Sequence, residues 1–228
     1  MYKYIMKTFK TIPFNSIEDL STVTINGSRH YQTPHGDFAS VTTILDKMTD
    51  KTALIEWRKR VGDEAANAKT KRSTDRGSAV HAMCEDYLQS KPMLLNEKMP
   101  FLVDMFKQIQ KALDDKVDNI RGIEIALYSK QFKVAGRCDL VADYNDIPSI
   151  IDYKTSDKYK REDWIENYFL QCSLYSYMLW EMTGHLTKQI VLLIALEDSP
   201  HCQVIVKQPS AYIEKAIRMV KDYHRIHG

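Results

Sequence analysis

Apolar residues recur along this chain with two different periods, and the change between them divides it. Val41, Ile44, Leu45 and Met48 fall on one helix face, and Ser40 just before them is a good N-cap. Helical patterning continues over about 52–69 and again over about 74–89, where Ala79, Val80, Met83, Cys84 and Leu88 are apolar. Pro100 is placed to open a further helix carrying Phe101, Leu102, Met105, Phe106, Ile109 and Leu113. From Ile120 the period shortens. Ile123, Ile125 and Leu127 alternate with charged or small residues, as in a half-buried strand, and residues 134–142 read as extended. A short apolar run lies in 149–153, and 189–196 and 203–206 read as strands. An aromatic-rich helix is expected over 163–183, ended by Gly184, and Pro209 opens a last helix to about residue 224. Near the start, residues 23–25 run into Asn26-Gly27, a hairpin turn signal, with 29–32 returning; Pro34-His35-Gly36-Asp37 reads as another turn.

The order of elements predicts an α/β (α+β) core: a sheet flanked by helices, preceded by a β-hairpin and a helical extension. One domain is expected over 1–228, made of an N-terminal hairpin and helical region (1–118), a sheet with the aromatic helix (119–208) and a C-terminal helix (209–228). The 44% apolar and 27% charged fractions suit a soluble globular chain. A net charge of +2 is too small to argue for a polyanionic partner. Its distribution says more: residues 51–76 hold eight basic and four acidic residues, a pattern that suits either a solvated helix face or a phosphate backbone. Cys84, Cys138, Cys172 and Cys202 are widely spaced, which predicts reduced thiols and no iron–sulfur cluster. The first residues carry Lys3, Lys7 and Lys10 without an apolar run, so an intracellular, cytoplasmic protein with no membrane partner is expected. No G-x-x-x-x-G-K-[ST] sequence is present, which excludes a P-loop ATPase.

The chemistry concentrates in two short segments, Gly136-Arg137-Cys138-Asp139 and Asp152-Tyr153-Lys154. A turn centred on Asn145-Asp146 would set Asp139 opposite Asp152 on adjacent strands, with Cβ atoms roughly 4.5–5.5 Å apart. Lys154, two residues on, points to the same face as Asp152. Two carboxylates at that distance repel unless a cation lies between them, and oxygen ligands suit Mg²⁺ or Mn²⁺. Such an ion activates water and neutralises a phosphate, while a nearby ammonium stabilises added negative charge. The alternative for the short motif alone is a surface salt bridge between Asp152 and Lys154.

Together with Gly77-x-x-x-His81, Glu124 and Gln171-x-x-x-Tyr175, these segments resemble the PD-(D/E)XK nucleases, in their RecB-like exonuclease branch. Within it the chain is similar to the group of the mitochondrial genome maintenance exonuclease and its phage and bacterial relatives. The resemblance spans roughly residues 40–200. It implies a restriction-endonuclease-like core with a central mixed sheet and a metal-dependent DNA exonuclease using one or two Mg²⁺ or Mn²⁺ ions. It also implies roles: Asp139, Asp152 and the Tyr153 carbonyl as metal ligands, His81 as a further ligand from a helix, and Lys154 as the catalytic lysine. Glu124 would bind metal or orient water, and Gln171 and Tyr175, on one helix face, would position the site. Taken singly, His81, Glu124 and Tyr175 also read as core or strand residues.

A polyanionic substrate needs cations to offset these acids. Arg58, Lys69, Lys71, Arg72, Arg76, Lys158, Lys160 and Arg161 are the candidates for phosphate contacts. Trp57 is either a base-stacking residue or core. The resemblance implies a preference for single-stranded DNA or free ends, in DNA processing or repair in a bacterium or phage-infected cell. A structure-specific endonuclease of the same fold and a catalytically silent nucleic-acid-binding subunit remain open alternatives.

Overall fold

The computed structural model describes residues 7–14 and 16–227, so Lys3 lies outside the described residues. β1 (Thr22–Ile25) and β2 (Ser28–Thr33) are joined by Asn26-Gly27, at φ 50° and 72°. Two left-handed residues make the turn whose twist matches the flanking strands. β3 (Gly36–Ser40) follows the second turn and is a strand that the hydrophobic pattern did not reveal. It runs directly into α1 (Val41–Met48), where Ser40 Oγ accepts the Thr43 N–H at 3.0 Å.

α2 (Thr52–Val61) and α3 (Asp63–Leu88) follow. The expected break between 69 and 74 is absent: nothing in 70–73 stops a helix, and the chain turns instead at Gly62, with φ 86°. α2 has no buried residue, and the first half of α3 is also largely exposed. α4 (Pro100–Lys116) then leads to β4 (Val117–Ser129), β5 (Val134–Tyr144) and β6 (Ile147–Ser156). α5 (Glu166–Thr183) ends at Gly184 in the left-handed conformation. β7 (Gln189–Leu196) and β8 (Gln203–Lys207) complete the sheet, and a single 3₁₀ turn at Pro209–Ala211 precedes α6 (Ile213–His227).

The strands form one mixed sheet in the order β1-β2-β3-β5-β6-β7-β8, with β4 on β5. β4 covers one edge of β5 from Val134 to Tyr144. The other edge is shared: β3 takes Val134 and Ala135, and β6 takes Leu140 to Tyr144. Residues 136–139 therefore have no strand partner on that side, which opens a fork in the sheet at the Gly-x-x-Asp segment.

Helices cover both faces. α1, α5 and α6 bury Val134, Cys138, Ile150, Leu192 and Ile194 on one, while α3 and α4 bury Leu140, Ala142, Ile151, Tyr153, Val191 and Leu193 on the other. Ile123, Ile125 and Leu127 do not share a face as their alternation suggests. Ile123 packs with the α3–α4 side, Ile125 and Leu127 with the other. Between them Glu124 has φ 51°, which inverts the pleat. β5 switches faces at the same level, between Cys138 and Leu140. The two acids Glu124 and Asp139 thus sit where both strands kink.

Candidate active site

The β5–β6 hairpin turns at Asn145-Asp146, both at positive φ, and its ladder runs from Tyr144↔Ile147 to Leu140↔Ile151. The next residues are Asp139 and Asp152, where backbone pairing gives way to side-chain bonding. Asp139 Oδ2 accepts the Tyr153 N–H at 2.8 Å, occupying the gap in the fork. Gly136 permits this opening to be filled from α5: a Cβ there would lie 2.7 Å from Tyr175 Cε1, closer than carbon atoms approach.

Asp152 and Lys154 point to the α5 face and make an ion contact. Asp152 is buried, its side chain 1% exposed, and Lys154 is partly buried at 19%, so the pair is not the surface salt bridge the short motif allows. Gln171 Nε2 donates to Asp152 Oδ1 at 3.2 Å and to the Tyr175 hydroxyl at 3.1 Å. The Lys154 ammonium also sits 4.9 Å from the Tyr168 ring centre. Burial lifts the Asp152 carboxyl above the ordinary range, with Lys154 pulling the other way. Burial works to lower the Lys154 ammonium, but Asp152 and Asp139 outweigh it and hold the charge on.

α3 brings His81 over the fork. Its Nε2 lies 2.8 Å from the Tyr153 carbonyl oxygen and its Nδ1 3.5 Å from Asp139 Oδ2. One ligand atom each from His81, Glu124 and Asp139 lie within 4.8 Å of one another. Asp152 falls outside this three-residue group. Burial, then Asp139 and Glu85, push the Glu124 carboxyl up to about 8. Crowded carboxylates beside an imidazole nitrogen, with one acid forced towards its protonated form, are a donor set that a divalent cation fits. Such an ion would be held by His81, Glu124 and Asp139, with the Tyr153 carbonyl adjacent to His81.

These groups floor an open cleft of about 770 Å³ whose lining includes Leu20, Ser21, Arg29, Thr42, Glu85 and Arg137. A second hollow of about 450 Å³, lined by Trp57, Lys69 and Tyr168 among others, shares Gly77, His81 and Lys154 with it. A larger hollow of about 870 Å³ between α4 and the β7–β8 connection touches none of the site residues. Glu85 was not singled out from sequence, although it stands one helical turn after His81 and hence on the same face. Arg137 was also missed. It donates to the Glu124 carbonyl at 2.5 Å and to Asp19 at 2.5 Å, supporting the left-handed backbone of Glu124.

The basic residues are placed unevenly. Arg76 is a correction: it is 5% exposed and bonded to Thr155, Asp157 and Glu197, so it ties α3 to the ends of β6 and β7 and does not face a substrate. Arg58 is paired with Asp63, Lys69 with Asp157, Lys71 with Asp75, Arg72 with Glu197 and Arg161 with Asp163. Lys158 and Lys160 stand in the segment after β6, where Lys160 is held through its backbone by Gln203. Trp57 is half-buried on α2, not core. No helix of the described residues is long and apolar enough to cross a membrane.

Residues 54–223 match the family model of the PD-(D/E)XK nuclease superfamily. The chain is 26% identical over 133 residues to "Mitochondrial genome maintenance exonuclease 1" of Xenopus tropicalis, a match covering 55% of this chain and 38% of the relative. It thus spans well under two-thirds of that protein's length. Among solved structures, SSO0001 superposes with a TM-score of 0.43 at 13% identity, over 82% of this chain and 75% of the other. A provisionally named exonuclease from Eubacterium rectale gives 0.44 at 14%, over 66% and 65%. With its acids and lysine gathered at a forked hairpin and a nuclease model matched across most of its length, the chain belongs to the PD-(D/E)XK nuclease superfamily.

Proposed function

We propose that this nuclease is a metal-dependent DNA exonuclease that prefers single strands and acts in DNA processing or repair. The carrying observation is the convergence of His81, Glu124 and Asp139 within 4.8 Å, beside the partly buried Lys154, in an open cleft. A bound Mg²⁺ or Mn²⁺ would supply a polarised water and a counter-charge for the scissile phosphate.

The chain's own groups do the rest. Lys154 stays cationic against Asp152 and offers its ammonium to negative charge building on the phosphate. Gln171 fixes the Asp152 carboxylate, and Tyr175 fixes Gln171, so the lysine is held in one place. His81 anchors the Tyr153 carbonyl and keeps β6 close to α3. Trp57 and Tyr168, both half-buried at the second hollow, offer ring faces on which unpaired bases can stack. Lys158 and Lys160 are proposed to meet phosphates nearby. The activity named for the Xenopus relative favours attack from free ends.

Labelled linear and circular DNAs, single- and double-stranded, test this reading. Short products from linear single strands, with circles intact, are expected. Cleavage of circles would instead establish an endonuclease, and binding without cleavage a silent module. His81→Ala is expected to weaken Mn²⁺ binding by calorimetry; unchanged affinity removes it from the ligands.

A further inference from the structure

Three cations line the cleft: Arg29, Arg137 and Lys154. Two of them are engaged by anions, Arg137 by Asp19 and Lys154 by Asp152. Arg29 is not. It stands exposed on β2, donates from Nη2 to the Thr42 hydroxyl at 2.8 Å, and has no carboxylate within ion-pair distance among the described residues. Its guanidinium lies 5.9 Å from the Tyr31 ring centre, which limits the directions it can take.

The surroundings give this free charge a purpose. The cleft is lined by the acids Glu85 and Asp139, a field that repels a polyanion before any cation binds. Six of the eight cations that the sequence pointed to are held by protein carboxylates: Arg58, Lys69, Lys71, Arg72, Arg76 and Arg161. Arg29 keeps most of its donors free, and a planar guanidinium fork matches two oxygens of one phosphate. The tether to Thr42 orders the side chain in advance, so less freedom is lost on binding. We propose that Arg29 is a phosphate clamp: it grips a backbone phosphodiester of the DNA strand beside the one being cut, and so the β1–β3 meander is a wall of the substrate groove. This rests on the nuclease reading of the cleft.

The test is fluorescence anisotropy with a short labelled single-stranded oligonucleotide, in Ca²⁺ to suppress cleavage, over a series of salt concentrations. Arg29→Gln is expected to weaken binding about ten-fold at low salt, the loss of one charged hydrogen-bonded contact. The slope of log affinity against log salt should fall by about 0.7, one phosphate's share on a single strand. Arg29→Lys, which keeps the charge and loses the fork, should retain the slope and part of the affinity. Lys111→Gln on α4, remote from the cleft, should match the parent protein. An Arg29→Gln protein with the parent's affinity and slope overturns the proposal. So does an Arg29→Lys protein as impaired in both as Arg29→Gln, because the side chain would then act through its shape and tether alone. A parent protein that binds no DNA would sink the nuclease reading itself, and the clamp with it.

Discussion

Gly136 shows how much a single absent side chain can decide. Tyr175 fills the space a Cβ would need, and Tyr175 in turn supports Gln171 and Asp152. Gly136→Ala should therefore cost about 1–3 kcal/mol through overpacking, read from a urea midpoint, and lower activity by shifting the Asp152–Lys154 pair. An alanine protein of parental stability and activity would show that Tyr175 yields freely. Glu124 makes the opposite point, since its present arrangement costs stability. Its carboxyl, raised from the ordinary 4.5 to about 8, keeps a proton that the unfolded chain loses above 4.5. Folding then takes up a proton, so stability falls as pH rises from about 4.5 towards 8. Glu124→Gln should stabilise the metal-free protein by about 1–2 kcal/mol at pH 7, allowing for solvent screening of a partly exposed group. The gain should vanish below about pH 4.5; a gain independent of pH would assign it to packing. The motif residues were legible because their chemistry is local. The positive φ of Glu124 and the role of Arg137 were not, because both depend on a neighbouring strand.

Among the elements, the β5–β6 hairpin was the most legible, because the turn residues and the register they set are neighbours in sequence. Its two left-handed residues, Asn145 and Asp146, still carry a penalty at the second position. Asp146→Gly is expected to stabilise the protein by about 0.5–1 kcal/mol in thermal or urea unfolding. Destabilisation would mean that the Asp146 side chain holds the turn. The break between α2 and α3 was misplaced, the first expected helix running from 52 to 69 across Gly62, since a charged, weakly amphipathic stretch gives little periodicity and the real start of α3 was marked only by Gly62. What secures it over the site lies far away in sequence. Arg76 bridges Asp157 and Glu197, with hydrogen bonds first from Arg76 and then Lys69 holding the Asp157 carboxyl down at about 2. Arg76→Ala leaves Asp157 to Lys69 and Glu197 to Arg72 but removes the buried bridge between them, and should cost roughly 1.5–3 kcal/mol. A loss below about 0.5 kcal/mol, the size of an ordinary surface change, would mark the network as dispensable. β3 escaped notice because five residues with a Gly-Asp start offer no clear alternation.

At the scale of the molecule, the sheet assembles a site from distant segments. β4 and β5 deliver the acids at a shared kink, β6 delivers the lysine beyond the point where it leaves β5, and α3 and α5 close over opposite faces. The order of elements foretold a sheet flanked by helices, yet it did not show the fork, which arises because β3 and β6 share one edge of β5. Nor did the run of charge over 51–76 foretell its neutralisation by Asp157 and Glu197, acids that only the folded chain brings near. In the proposed function, Asp139 and Lys154 cut DNA with a divalent cation's help while other surfaces hold the strand. The most direct measurement is cleavage of end-labelled single-stranded DNA with Mg²⁺, with Mn²⁺ and with a chelator, run beside DNA binding for the parent, Asp139→Asn and Lys154→Ala. Cleavage is expected only with metal and only by the parent, at least a hundred-fold above either variant, a loss on the order of one electrostatic catalytic group, with binding largely retained by all three. Cleavage that survives the chelator, or that persists in both variants, would contradict it.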